Sequence, residues 1–423
     1  MPSNLHPKTA ARLTVLRALQ NFDSDESTPL SLLDEADIDA TTRGFAREIL
    51  SGTLRHLSRI DWTIQPLLKK PIAKLDAPVR AALRLAAYEI ACTRTPAQVA
   101  GSEYAGLMRQ TKTRSAVAFV NAIARRLPAQ LRAPDANADA ISQLAIETSH
   151  PRWLVERWEK QFGIEATRAL CAANNQIAPL NLRANTLHLS RDEALQQLQA
   201  QELNARASEV SPHGIVIERA GSPLGWELWQ RGDIIAQDEA AQLVALHAAP
   251  QSGQIVMDVA SAPGGKSTHL AQLMNDKGRV IAADRAAGRL KLVRENASRL
   301  GLKSVETFDG DAQQVLAAIK RNQLPRADIV LLDAPCSGTG TLRRRPDLKW
   351  RKSVENIAEL VELQRELLDI CAQMVKPGGA LVYSTCALEV EENQLQAQAF
   401  TECYANWRVE GAASTCSAFA DET

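Results

Sequence analysis

From about residue 238 the chain alternates short, β-rich apolar runs with longer helix-like stretches. The runs fall at 255–260, 279–283, 329–333 and 380–384, and helical patterns fill 286–300 and 354–375. Strands separated by helices pair in parallel, so this part reads as a doubly wound α/β sheet of the Rossmann-like class. Ligands in such a sheet bind at the carboxyl ends of the strands. The residues that follow each run are therefore the ones that bear on function.

The first run leads into Asp258-Val-Ala-Ser-Ala-Pro-Gly-Gly-Lys-Ser267. Gly264 and Gly265 let the backbone approach a ligand, and the helix that follows offers unpaired N–H groups. The candidate loop comprises Ala260, Ser261, Ala262, Pro263, Gly264, Gly265 and Lys266. It fits a loose phosphate-loop pattern, with 329–333 as the partner strand, and so admits a nucleotide triphosphatase. It equally fits a nucleoside-cofactor loop. Asp284 ends the second run, twenty residues after Gly264, where a carboxylate meets ribose hydroxyls in dinucleotide folds. Asp311 follows the expected third strand and Asp333 closes the fourth. Each alone reads as a strand end or helix cap. Together they suit a cationic sulfonium nucleoside better than a triphosphate, because like charges repel.

The fourth strand continues as Asp333-Ala-Pro-Cys-Ser-Gly-Thr-Gly340 and the fifth as Tyr383-Ser-Thr-Cys386. Either cysteine alone reads as a buried structural thiol. Neighbouring strands lie about 4.8 Å apart, so Cys336 and Cys386 are expected to face one pocket beside the loop. Methylation of cytosine at C5 needs such a thiol: a thiolate adds at C6, activates C5, and leaves once the C5 proton is lost. Asp333 is placed to hold the N3/N4 edge of the base. The residues alone favour Cys336 as the attacking thiol, because a Pro-Cys pair carries the nucleophile in DNA cytosine methyltransferases.

The front of the chain has another character. Residues 1 to about 137 read as all-helical, with Leu13, Leu16 and Leu19 on one face and Leu83, Ala86, Ala87 and Ile90 on another. Prolines at 29, 66, 71, 78 and 96 punctuate short helices. Arg109, Lys112, Arg114, Arg125, Arg126 and Arg132 form a basic stretch, either a solvated helix face or a phosphate-binding one. Residues 134–140 look like a linker. Residues 138–237 suggest a small α+β module, with β-like runs at 180–183 and 215–218 and with Trp153 and Trp158 in a core. The methyl-transfer domain then spans 238–423. At 423 residues, two or three domains are expected. Net charge is zero, so any basic surface is local. Seven scattered cysteines make neither a disulfide framework nor a metal pair, which fits a reduced, cytoplasmic setting without metal. No apolar run suggests a signal peptide or a membrane span.

Taken together, these motifs resemble the RNA cytosine-5 methyltransferase family, often called Nol1/Nop2/Sun or Fmu. Asp-Ala-Pro-Cys-Ser-Gly-Thr-Gly with Ser-Thr-Cys is its most specific mark. His150-Pro-Arg-Trp-Leu, Pro179-Leu-Asn-Leu-Arg-Ala-Asn185 and Ile235-Ala-Gln-Asp-Glu-Ala-Ala-Gln242 match it in the middle, and the helical front looks like a NusB RNA-binding domain. Within the family the likeness runs to bacterial enzymes of 16S (small-subunit) ribosomal RNA, free or in an assembling subunit; a monomer is the default expectation. The resemblance implies S-adenosylmethionine in the loop 260–266, Asp284 at its ribose, Asp311 at its adenine, and Asp333 between cofactor and base. It implies Cys386 as nucleophile and Cys336 as the thiol that promotes product release.

The family also carries a basic stretch like Arg343-Arg-Arg-Pro-Asp-Leu-Lys-Trp-Arg-Lys352. There Arg343, Arg344, Arg345, Lys349 and Trp350 suit a backbone groove with a stacking surface. Two features depart from the family. The loop has Ala260-Ser261 where Cys-Ala is usual. The end lacks the closing Asp-Gly-Phe-Phe strand and reads Gly-Ala-Ala-Ser-Thr-Cys-Ser-Ala-Phe-Ala-Asp-Glu-Thr. A P-loop triphosphatase and a non-enzymatic RNA-binding protein are the competing readings.

Overall fold

The computed structural model describes residues 6–22, 29–34, 36, 38–218 and 220–410; the unusual closing sequence after 410 lies outside them. The chain forms two compact units. One holds Met1–Ile177 together with a returning segment, Thr341–Lys352; the other holds Ala178–Gly340 and Ser353–Thr423.

The first unit is helical. Two of its helix starts have clear sequence signals: Asp39 accepts the Thr42 N–H at 2.9 Å ahead of Ala40–Arg55, and Pro78 sits in the first turn of Ala77–Cys92. Leu13, Leu16, Leu19, Leu83, Ala86, Ala87 and Ile90 are all buried in one core, as their spacing predicts. A charged group within that core is fully partnered. Glu89 takes two hydrogen bonds from Arg12, at 2.8 and 2.7 Å, and one from the Tyr104 hydroxyl at 2.5 Å. Trp158, on the helix Arg152–Phe162, is fully buried against His150.

The second unit contains two sheets. β1 (Leu180–Ala184), β2 (Ala205–Ala207), β3 (Gly214–Ile217) and β4 (Ile234–Ala236) form an antiparallel sheet in the order β2-β3-β1-β4. β5 (Ile255–Asp258), β6 (Arg279–Asp284), β7 (Val305–Asp309), β8 (Ala327–Asp333) and β9 (Val375–Ser384) form a parallel sheet in the order β7-β6-β5-β8-β9. The central strands are apolar nearly throughout because helices cover both faces, whereas the edge strand β7 alternates and carries Glu306. Chain order reverses between β5 and β8, which opens a crevice at their carboxyl ends.

The middle-sheet motifs connect the two sheets. Arg183, fully buried on β1, donates to Gly265 O at 2.7 Å and to Thr268 Oγ1 at 3.1 Å, and also bonds Gln237. Asn185 donates to Gly232 O at 2.9 Å and to Leu300 O at 3.0 Å. Gln242 caps Leu182 O at 3.2 Å and Gln237 O at 3.0 Å. These polar side chains are buried because each satisfies backbone groups of the other sheet's elements.

Candidate active site

The loop after β5 leaves the sheet at Val259, and the helix Gly265–Leu273 begins within it. Gly264 takes φ +98°, and a Cβ there would stand 3.1 Å from Val293 Cα. Only glycine holds that turn without strain. Asp284, at the end of β6, accepts the N–H groups of Ala262 at 3.1 Å and Ala286 at 2.9 Å, fixing the loop against the second strand. Arg289 donates to Ala262 O at 2.7 Å. Asp258 is buried and its carboxyl is pushed up to about 6, by burial first, while Ser267 donates to it at 2.6 Å. The Ser261 hydroxyl is buried with no partner among the described residues.

Asp311 is exposed and caps the helix Ala312–Lys320. It accepts the Gln314 N–H at 2.9 Å and donates its own to the Gln314 side chain at 2.9 Å. One side of its carboxylate thus serves the helix end. Asp333 closes β8, with its side chain about one-third exposed. Lys266 Nζ lies 2.5 Å from Asp333 Oδ2, and Ser384 Oγ donates to Oδ1 at 2.9 Å. Loop, fourth strand and fifth strand therefore meet at one carboxylate.

The two cysteines meet as well. β8 and β9 are parallel neighbours, with Asp333 paired to Ser384. Cys336 and Cys386 Sγ stand 3.3 Å apart, and the Cys386 N–H reaches Cys336 Sγ at 3.3 Å. The hydrogen bond from Cys336 holds the Cys386 thiol below the ordinary range. Burial and Asp333 oppose this, and Lys266 assists it. The Cys336 thiol is raised, by the same hydrogen bond first and then by burial. Cys386 is the more exposed of the two.

Several residues that hold this site were not singled out from sequence. Glu389 and Glu392 are fully buried and bind the hydroxyls of Ser337 and Thr339. Gln364, also buried, donates to Pro335 O at 2.9 Å. The signal for the two glutamates is the acidic run Glu389-Val-Glu-Glu392 shortly after Cys386, which resembles solvated surface.

The expected RNA contacts divide in two. Arg109, Lys112, Arg114, Arg125, Arg126, Arg344 and Arg345 are exposed. Lys349 and Trp350 depart from the stacking surface expected of them. Lys349 is 1% exposed; its ammonium donates to Asn175 Oδ1 at 2.7 Å and to Arg55 O and Ser149 O at 3.3 Å. Trp350 packs on the helical core and donates to Leu54 O at 2.7 Å. Arg343 donates to Ile177 O at 2.8 Å. The segment Thr341–Lys352 folds with the helical unit, which turns these side chains inward.

Among the described residues no helix is long and apolar enough to cross a membrane, and no group of three or more His, Cys, Asp or Glu side chains could hold a metal ion. Comparison with known proteins gives concordant results. Family models match as 16S rRNA methyltransferase RsmB/F over residues 245–420, as the ferredoxin-like domain of RsmF/B-like methyltransferases over 150–222, and as the NusB family over 9–128. A probable ribosomal RNA small subunit methyltransferase B of Bacillus subtilis is 33% identical over 93% of this chain and 89% of its own. The ribosomal RNA small subunit methyltransferase B of Pseudomonas putida is 37% identical over 94% and 89%. The crystal structure of PH0851 superposes with a TM-score of 0.82 at 26% identity, over 97% of this chain and 93% of that one.

Proposed function

Because the chain belongs to the RsmB/F family of small-subunit rRNA methyltransferases, we propose that it methylates C5 of a cytosine in 16S rRNA, with S-adenosylmethionine as donor and Cys386 as covalent nucleophile. The observation that carries this reading is the 3.3 Å approach of two thiols beside the Lys266–Asp333 pair. A methyltransferase working on a more nucleophilic atom has no need of a thiol pair there.

The loop residues fit the cofactor. Gly264 leaves room for close backbone approach, the buried Ser261 hydroxyl has no partner among the described residues, and Asp284, Asp311 and Asp333 favour a cationic ligand. When bound, S-adenosylmethionine supplies an electrophilic methyl group on a sulfonium. The protein's own groups do the rest. The Cys386 thiolate adds to C6, forming a C–S bond and driving electrons onto C5, where the methyl is received. Transfer of the C5 proton to water then restores the C5–C6 double bond, and the C–S bond breaks to return the Cys386 thiolate. The Cys336 S–H donates to the departing sulfur. Asp333 holds the N3/N4 edge of the base, whose C6 is reachable only when unstacked or flipped out. The exposed basic residues 109–126, with Arg344 and Arg345, hold phosphates. The three family matches support a division near residues 137 and 237, and we take the protein to act as a cytoplasmic monomer.

The triphosphatase alternative is set aside by family membership. Moreover, Lys266 and Ser267, the residues a phosphate loop would aim at phosphate and metal, are bonded to Asp333 and Asp258.

Incubation with labelled S-adenosylmethionine and a 16S rRNA transcript is expected to label cytosine. Cys386→Ala should abolish labelling, and Cys336→Ala should accumulate a protein–RNA adduct on denaturing gels. Labelling by Cys386→Ala at the normal rate would remove that residue from the mechanism.

A further inference from the structure

Cys336 is bracketed on both sides of its own backbone. The carbonyl before it, Pro335 O, accepts from Gln364 Nε2 at 2.9 Å. The amide after it, Ser337 N–H, donates to Glu392 Oε1 at 2.8 Å. Gln364 Nε2 also donates to that same Glu392 oxygen, at 3.0 Å. Gln364, Glu392 and Ser337 are all fully buried. The Ser337 hydroxyl bonds Glu392 and lies 3.1 Å from Glu389 Oε2; the Thr339 hydroxyl donates to Glu389 and accepts the Leu388 N–H at 2.9 Å. Gly340 N–H donates to Cys386 O at 2.9 Å, and a Cβ at Gly340 would meet that oxygen at the same distance.

The two carboxylates belong to the loop that follows Cys386, whereas most of their donors belong to the loop that carries Cys336. Buried carboxylates are costly unless hydrogen-bonded, and filled networks fix one arrangement of the groups they join. Both Glu392 oxygens are bonded, whereas Glu389 Oε1 has no partner among the described residues, so the fixing falls to Glu392. Cys386 has a further brace outside the carboxylates: Asn393 accepts from the Thr385 hydroxyl at 2.5 Å and donates to Ala387 O at 3.0 Å and Glu389 O at 2.9 Å.

We infer that Glu392, together with Gln364, is a positioning residue for the Cys336 thiol and sets the Sγ–Sγ approach on which release of the Cys386–RNA adduct depends. The inference rests on the reading of Cys336 as the releasing thiol. Attack on C6 is made by Cys386, which keeps its own brace and the nearby Lys266 ammonium when the bracket is lost. Breaking the C–S bond needs the Cys336 S–H at the departing sulfur, and that is the contact the Gln364–Glu392 bracket holds. Loss of the bracket therefore slows release more than attack, by roughly tenfold for one well-made hydrogen bond.

The test follows adduct and turnover separately, with full-length protein, labelled S-adenosylmethionine and a 16S rRNA transcript. Glu392→Ala and Gln364→Leu are expected to form adduct nearly as fast as the unaltered protein but to accumulate it. Glu392→Gln, which keeps an acceptor for Ser337 N–H, should clear it. Parallel loss of adduct formation and turnover in Glu392→Ala and Gln364→Leu, with Cys336→Ala still trapping adduct, would overturn the positioning role and leave the mechanism standing. If Cys336→Ala itself traps none, the failure lies in the release reading. Should Glu392→Ala show no cooperative melting transition, Gln364→Leu decides.

Discussion

Cys336 and Cys386 share a hydrogen across 3.3 Å, and their surroundings differ enough to bias where it rests. Cys386 is nearer solvent and takes the hydrogen bond from Cys336, which outweighs the opposing burial and Asp333 charge, so the thiolate is better placed there and the hydrogen on Cys336. A thiol held below its ordinary range reacts at lower pH. Removing the donor takes away the largest cause of that shift. The alkylation midpoint of Cys386, followed with iodoacetamide and peptide mass spectrometry, is therefore expected at higher pH in Cys336→Ala than in the unaltered protein. An identical midpoint in both would mean that the sulfur–sulfur hydrogen bond does not control the Cys386 thiol. The cysteines, Asp333 and the glycine loop could be read from sequence because strand ends converge in this fold and their motifs are specific. Glu392 and Gln364 could not. A glutamate in an acidic run and a glutamine on a long helix look like solvated residues until tertiary packing closes over them.

At the level of elements, the strands followed from apolar runs, and their errors have physical causes. β9 begins at Val375, five residues before the apolar run at 380. Lys376-Pro-Gly-Gly379 reads as a break, yet here it is a bulge: Ala327 pairs with Val375 and Ile329 with Ala380. The run at 255–260 stops pairing as β5 at Asp258, where the chain turns into the glycine loop. Asp311 shows the limit of strand-end logic, since its carboxylate also completes a capping box with Gln314. The loop itself depends on one backbone angle. Gly264→Ala forces a side chain into the left-handed region, at a cost of about 1–2 kcal/mol, and presses a Cβ against Val293. A lower melting temperature and weaker S-adenosylmethionine binding by calorimetry are expected together. Unchanged affinity would show that the turn serves folding alone.

At the scale of the molecule, the chain crosses between its units more than once, and this the sequence conceals. Residues 341–352 lie between two strands of the parallel sheet yet fold with the helical unit. A run with six basic residues has no mark in sequence that says which of them face outward. Here Arg344 and Arg345 do, while Lys349 is enclosed with His56 and His150. Burial pushes Lys349 down to about 7 from an ordinary 10.5, and pushes His56 down to about 4 from 6.5; Lys349 adds to the depression of both histidines. The sign follows from proton linkage. Between about pH 7 and 10.5 the unfolded chain binds the Lys349 proton more tightly than the folded one, so stability rises with pH across that window. The histidines act in the same direction below pH 6.5. Lys349→Met removes the alkaline contribution and lessens the acid one. In urea unfolding of the full chain at pH 6, 8 and 10, the unaltered protein is expected to gain stability relative to Lys349→Met as pH rises. Parallel curves would mean that the ammonium keeps its ordinary proton affinity despite its enclosure.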